Sequence, residues 1–235
     1  LATLVTGGTG SALFLGGVLA AAPVARAQMP PSASEIARYR GLHAAAQHGD
    51  LAAIQKAFAD QANLNARDSY GRTPLHVATY ARQREAITVL VKAGADLSLL
   101  ENDRYDAVTI AAVADDEETL RLLLALGASA KLTTSRYDGT ALIAAAHLGH
   151  DGVVRQLIAA GAPLNHVNNL HWTAAIEAVV LGDGGPRHQA TLRALIDAGA
   201  NLQLSDRDGN TPLMLAKQRG YLEMVKMLET GHSKP

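Results

Sequence analysis

Nine histidines are the side chains in this sequence best suited to bind a metal or to transfer a proton. Two pairs could supply ligands from nearby positions: His147 with His150, and His166 with His171. A predicted helix boundary separates the first two, and no third ligand lies nearby in the sequence. The second two share one predicted loop and could approach each other, but a zinc site takes three or four protein ligands. We therefore expect no metal and no cofactor, and keep an enzyme or metal-binding protein with a nonlocal histidine site as an alternative.

Two other segments contain residues that could bind ligands. Residues 115–118, Asp-Asp-Glu-Glu, lack the alternating ligands and the glycine of a calcium loop, so we place them at a helix start, where the dipole favours carboxylates. Residues 4–10, Leu-Val-Thr-Gly-Gly-Thr-Gly, look like a dinucleotide-binding turn but lack the acidic residue about 20 positions on that this motif needs. The sequence has no cysteine, which excludes thiolate nucleophiles. We predict no catalytic residue.

The elements that position these side chains are copies of one unit of about 33 residues. The phrase Thr-Pro-Leu-His-Val-Ala at 73–78 returns as Thr-Ala-Leu-Ile-Ala-Ala at 140–145 and as Thr-Pro-Leu-Met-Leu-Ala at 211–216. Alignment on its first residue gives six equivalent positions, which we call the anchor positions. They are Arg40, Thr73, Asp106, Thr140, Thr173 and Thr211. A fixed period of this length predicts one supersecondary unit repeated along the chain.

The residue pattern of each unit predicts two helices. The anchor residue suits an N-cap, and Pro74 suits the first helical position, where its missing N–H has no cost. The second helix contains larger aliphatic residues such as Leu157 and is followed by a glycine such as Gly161, where a left-handed residue is common. A chain with 48% hydrophobic but only 4% aromatic residues suits helix stacking. The fifth unit has about five extra residues near 182–186, between its helices.

This pattern resembles the ankyrin repeat family, whose unit is a β-turn plus two helices with a Thr-Pro-Leu-His-x-Ala core. The resemblance implies an all-α solenoid of about six helix-turn-helix repeats with short β-hairpin-like loops, which binds proteins without catalysis. It also implies that His43 and His76 bond to the backbone of a neighbouring loop, and that His150 is structural. We place the repeats at about 39–67, 68–100, 101–134, 135–167, 168–205 and 206–231.

The N-terminal segment differs from the rest. Residues 1–25 contain no charged side chain, and Ala25-x-Ala27 fits a signal-peptidase site. We predict a signal peptide at 1–27, a linker at 28–38, the repeat domain at 39–231 and a tail at 232–235; an uncleaved membrane anchor is the alternative. Such a chain resembles exported, periplasmic bacterial ankyrin-repeat proteins, so we expect a periplasmic or secreted protein.

The loops before the anchor positions hold the best candidates for partner binding. Tyr and Trp are enriched in protein interfaces, and arginines in the same tips could add charged contacts. The candidate residues are Tyr70, Arg72, Arg104, Tyr105, Arg136, Tyr137, Trp172 and Arg207. In the alternative interpretation, the rings pack against adjacent loops and stiffen the row.

Together these observations predict a non-catalytic scaffold that binds another protein in the bacterial periplasm, supporting an exported enzyme or a stress response. A secreted effector that binds host proteins is the other alternative. A formal net charge of −1 without a basic run argues against nucleic acid. We expect a monomer that has no membrane contact once the signal peptide is cleaved.

Overall fold

The computed structural model describes residues 30–231, which form thirteen α-helices. A single turn, α1, precedes six helix pairs, in which each even-numbered helix is the first of its repeat and each odd-numbered helix the second. The helices are α1 Ala33–Ile36, α2 Gly41–His48, α3 Leu51–Ala59, α4 Pro74–Tyr80, α5 Arg84–Lys92, α6 Ala107–Val113, α7 Glu117–Ala125, α8 Ala141–Leu148, α9 Asp151–Ala159, α10 Ala174–Val180, α11 Pro186–Asp197, α12 Pro212–Arg219 and α13 Leu222–Gly231.

All six anchor positions are N-caps of first helices, as the pattern predicts. Thr140 Oγ1 accepts a hydrogen bond from the N–H of Ile143 at 3.3 Å, and Asp106 Oδ1 accepts one from the N–H of Thr109 at 2.8 Å. These bonds satisfy backbone donors that a helix start leaves without partners. Arg40 makes no such bond with its side chain, so the first helix of the first repeat lacks the side-chain cap that the other five have.

The helices stack in two rows. Each first helix contacts the first helix of the next repeat, and each second helix contacts the next second helix. One leucine in each of the last five second helices is fully buried at the same register: Leu90, Leu123, Leu157, Leu195 and Leu228. The small residues Ala78, Ala145 and Ala216 are equally inaccessible on the first helices, where they allow close approach. This arrangement confirms an all-α solenoid of six repeats.

The turn after each second helix uses the left-handed backbone that the sequence predicts. Gly94, Gly127, Gly161 and Gly199 have φ values of 103°, 97°, 79° and 84°. The first repeat has Gln61 at this position, also at a positive φ of 57°. A non-glycine residue is disfavoured there, which indicates that the stack imposes the turn.

Two segments depart from the regular pattern. Residues 181–185 form the longer loop between α10 and α11, and Tyr221 of the last repeat donates a hydrogen bond from its hydroxyl to the Gly182 carbonyl at 2.9 Å. In the predicted linker, α1 begins with a capping box between Ser32 and Glu35. Glu35 contacts the second repeat from there, so this turn is part of the stack.

Candidate functional site

Five loops precede first helices and form a row that we call the tip loops: residues 68–72, 101–105, 134–139, 168–172 and 206–210. In each loop the N–H of the first residue donates to the carbonyl of the last, at 2.8–3.0 Å. A polar side chain inside the loop accepts further backbone bonds. Asn168 Oδ1, for example, accepts from the N–H groups of Leu170 and Trp172 at 3.0 and 2.9 Å. These bonds fix the backbone of each tip loop and so restrict where its side chains project.

Neighbouring tip loops are bonded to one another. The N–H of Asn102 donates to the Tyr70 carbonyl at 3.0 Å, and the N–H of Asn169 donates to the Tyr137 carbonyl at 2.9 Å. Within the third tip loop, Thr134 and Gly139 form an antiparallel bridge, the isolated β-bridge found in residues 30–231. The row is thus a continuous surface braced from repeat to repeat.

Three of the predicted arginines lie at this surface and also join adjacent loops. Arg104 pairs with Asp138 at 2.8 Å, and Arg136 pairs with Asp103. About half of each arginine side chain is exposed. Arg207 is exposed as well and donates to the carbonyl of Asn169. Surface ion pairs of this kind contribute little stability, and partner contact by these arginines stays a prediction.

Arg72 differs from the expectation of an exposed tip residue, because it is only 4% exposed. Its guanidinium pairs with Glu35 at 3.0 Å and lies 4.5 Å from the ring centroid of Tyr70 and 5.7 Å from that of Tyr80. Burial alone would raise the pKa of Glu35, but hydrogen bonds from Ser32 and Arg72 lower it to about 2. Glu35 lies before the first repeat, so the repeat pattern did not reveal this pairing.

The rings of Tyr105, Tyr137 and Trp172 come from three successive tip loops and line one cavity of about 250 Å³, which we call the aromatic cleft. All three side chains are partly buried. Burial raises the pKa of the Tyr105 hydroxyl, as expected where water is depleted. Tyr70 is 44% exposed, lies against Arg72 and is outside the lining. The structure therefore brings three of the four predicted aromatic residues together.

Sequence reasoning missed the charged residue of this cleft, Glu177, which lies in α10 and is 4% exposed. Its Oε1 accepts a hydrogen bond from Asn168 Nδ2 at 3.0 Å. Its buried Oε2 accepts none from the described residues, although His147 Nδ1 lies 3.2 Å away. The signal was available: Glu177 lies four positions after its anchor residue, where the other repeats have apolar residues. These are Ala44, Val77, Ile110, Ala144 and Leu215.

The structural roles implied for three histidines are confirmed. The Nε2 atoms of His43 and His76 lie 2.9 and 3.0 Å from the carbonyls of Arg72 and Leu99 in the following loops, and His150 Nδ1 lies 2.9 Å from the Ala112 carbonyl. Burial lowers the pKa of His76 to about 4, against an ordinary value of 6.5.

The two histidines of the second predicted pair have different surroundings. His166 Nε2 lies 2.6 Å from the Asp138 carbonyl, and His171 is exposed in a left-handed backbone conformation. Across residues 30–231, no group of three or more His, Asp or Glu side chains is arranged to hold a metal ion.

In that part of the chain, no helix has the length and apolar character needed to cross a bilayer. The predicted signal peptide lies outside the described residues.

The family follows from comparison with known proteins. Residues 34–101 and 108–202 match a family model described as ankyrin repeats (3 copies), and residues 186–229 match a second one described as ankyrin repeats (many copies). The chain belongs to the ankyrin repeat family. The resemblance seen in the sequence is therefore confirmed. Ankyrin repeats are protein–protein interaction scaffolds, and their fold is typically non-catalytic.

Two bacterial ankyrin-repeat proteins are similar over most of their length. The putative ankyrin repeat protein YahD of Escherichia coli K12 is 33% identical over 185 residues, which cover 78% of this chain and 92% of YahD. The crystal structure of an ankyrin repeat domain from Acinetobacter baumannii AYE is 44% identical, with a TM-score of 0.77, and the match covers 82% of this chain and 98% of that one.

A third match comes from a protein complex. It is a chain in the structure of the predatory endopeptidase Bd0816 from Bdellovibrio bacteriovorus in complex with the immunity protein Bd3460. That chain is 26% identical, with a TM-score of 0.64, and the match covers 82% of this chain and 98% of that one.

Proposed function

We propose that this ankyrin-repeat protein is a non-catalytic scaffold that binds another protein in the bacterial periplasm, with the aromatic cleft as its main contact. One observation carries the proposal: Tyr105, Tyr137 and Trp172, from three separate loops, line one cavity. Aromatic rings in a partly desolvated pocket are typical of the residues that dominate binding energy at protein interfaces. The similar chain from the endopeptidase–immunity protein complex supports protein binding by this kind of array.

Two features make the cleft suitable for a partner. The tip loops are bonded to each other, so little conformational entropy is lost when a partner orders them. The rings are also only partly buried, which leaves apolar area for a partner to cover. The second interpretation of the rings, packing against adjacent loops, is compatible with this arrangement, because residues that stiffen the row also pre-organise the cleft.

Replacement of all three rings tests the proposal. Tyr105, Tyr137 and Trp172 are changed together to Ala, and the full chain is used as bait in a periplasmic extract, with mass spectrometry as the readout. We expect the captured partner to be lost while the far-ultraviolet circular dichroism spectrum is retained. The matched control is Phe58→Ala, since Phe58 is a 54% exposed aromatic residue on the second helix α3.

Unchanged capture by the triple variant would reject the cleft as the contact.

Location is tested separately by cell fractionation and by sequencing of the mature N-terminus, where we expect Gln28 to be the first residue. Protein found in the culture medium would favour the secreted-effector alternative, and protein retained in the membrane fraction would favour the uncleaved anchor.

A further inference from the structure

We propose that the aromatic cleft receives one basic side chain, arginine or lysine, of the protein partner, with Glu177 as its counter-charge. This inference rests on the proposed function, because it assigns the chemistry of the partner at the same site.

The cleft contains a buried carboxylate. Glu177 is the acidic member of the described residues that line the cleft, and no lysine or arginine is among them. Its Oε2 atom is buried and accepts no hydrogen bond from residues 30–231. His147, which also lines the cleft, places Nδ1 3.2 Å from this oxygen, within ion-pair distance when the imidazole is protonated, but makes no hydrogen bond to it. A buried carboxylate oxygen without a donor is costly, and a cationic donor from outside would remove that cost.

Glu177 departs from the residue pattern of the other repeats. The other five repeats place an apolar residue four positions after the anchor, so stacking of first helices does not need a carboxylate there. A residue that departs from the repeat pattern and lowers stability is expected at a position that function requires. The deviation occurs in the repeat whose tip loop also contributes Trp172, which places the charge and the largest ring in one unit.

The same chain contains a comparable arrangement around Arg72. Arg72 is buried between the carboxylate of Glu35, at 3.0 Å, and the ring of Tyr70, 4.5 Å from its guanidinium carbon. A carboxylate and aromatic faces therefore hold a guanidinium in this fold, as cation–π and charge-assisted hydrogen bonds predict. The aromatic cleft offers the same set of groups, one buried carboxylate with three rings, to a cation from another molecule.

The size of the cleft favours a side chain. Its volume of about 250 Å³ lies below the ~300–1,000 Å³ usual for sites of drug-sized ligands and cofactors. A partner can instead insert one long side chain whose methylene groups contact the rings while its charged end reaches Glu177. The proposed occupant is therefore a side chain of a protein partner. A free small cation is the rival occupant, and the experiment below distinguishes the two.

The experiment uses Trp172 as a local reporter, because it is the single tryptophan of the chain. The ¹⁵N-labelled protein is titrated with N-acetyl-arginine amide to about 50 mM, enough to detect millimolar binding, while the indole N–H resonance of Trp172 is followed by NMR. N-acetyl-citrulline amide is the uncharged isostere, and sodium chloride matches the ionic strength. We expect a saturable shift with the arginine amide and none with citrulline.

Two variants separate a charge effect from a structural one. Glu177→Gln keeps an acceptor for Asn168 and should weaken binding about tenfold or more, because a charge-assisted bond is lost. Glu177→Leu installs the residue type of the other repeats; it should remain folded by circular dichroism and abolish the shift. Glu223→Gln, which removes an exposed acid on α13, should leave binding unchanged.

Other outcomes overturn the inference in distinguishable ways. An equal response to citrulline, or unaltered binding by Glu177→Gln, would show that charge does not select the ligand. Micromolar binding of the free amide would assign the site to a small cation. An unmoved Trp172 resonance, combined with partner loss in the triple aromatic variant, would reject the cation and leave the proposed function standing. If the wild-type protein binds the arginine amide but the triple aromatic variant still captures the partner, the cleft does not receive a side chain of that partner.

Discussion

Protonation of His76 should destabilise the fold, because the structure holds its ring in one neutral form. The side chain is 2% exposed. Its Nε2 donates to the Leu99 carbonyl at 3.0 Å, and its Nδ1 accepts from the N–H of Thr73 at 3.0 Å. These partners assign the tautomer. A proton added to Nδ1 would face the Thr73 N–H, so charging the ring would break the capping box of α4.

The magnitude follows from the pKa. Burial lowers the pKa of His76 to about 4 in the folded protein, against 6.5 for an exposed histidine. Between these values the unfolded chain binds more protons than the folded one, so stability falls as pH falls. The gap corresponds to about 3 kcal/mol, present in full above about pH 6.5 and lost progressively towards pH 4. Glu35, with a pKa lowered to about 2, loses its contribution only below its ordinary value of 4.5.

Urea unfolding followed by circular dichroism, at about pH 7.5 and about pH 4.5, measures this effect. The comparison is with His76→Gln, whose side chain does not titrate. We expect the wild-type protein to lose about 2–3 kcal/mol more than the variant between the two pH values. The variant itself should be less stable at the higher pH, because it cannot reproduce both bonds of the ring. Parallel pH dependence in the two proteins would refute the reasoning.

Two further changes test the packing. Leu157→Ala, at a fully buried position between second helices, should lower the free energy of unfolding by about 2–5 kcal/mol; the 38% exposed Leu148→Ala is the matched control, with about 0.5 kcal/mol expected. An equal effect in the two urea titrations would show that the repeat register is wrong. Tyr221→Phe removes the hydrogen bond to Gly182 and should cost about 0.5–1.5 kcal/mol, with faster amide hydrogen exchange in the 181–185 loop; unchanged exchange would show that the bond does not hold it.

Much of the fold could be predicted because its determinants are local and repeat. Thr140 caps a helix through a residue three positions away, and Gly161 ends one through its own backbone freedom. Copies of such signals reinforce each other, so Asp106 could be assigned as an anchor although its repeat lacks the threonine and proline. The candidate site was predicted in part for the same reason, since the position of a ring relative to its anchor indicates that it lies in a tip loop.

Contacts between repeats could not be predicted from these local signals. Arg72 occupies a tip position in the alignment, yet Glu35, from a segment outside the repeats, draws its guanidinium into the stack. Tyr70 and Tyr137 are equivalent in register, but only Tyr137 lines the cleft. The two tyrosines differ because the tip loops next to them contain different residues. Those loops lie about one repeat away in sequence, so the residues around each tyrosine in its own repeat do not indicate them.

By itself, the sequence determined the family, the helix pairs, the capping residues and the tip loops as the surface that carries aromatic rings. It could do so because each depends on interactions within one unit of about 33 residues. Only the tertiary structure decided that Tyr105, Tyr137 and Trp172 line one cavity together with the buried Glu177. That convergence depends on how adjacent repeats are offset in the stack, and no spacing within a single repeat encodes the offset.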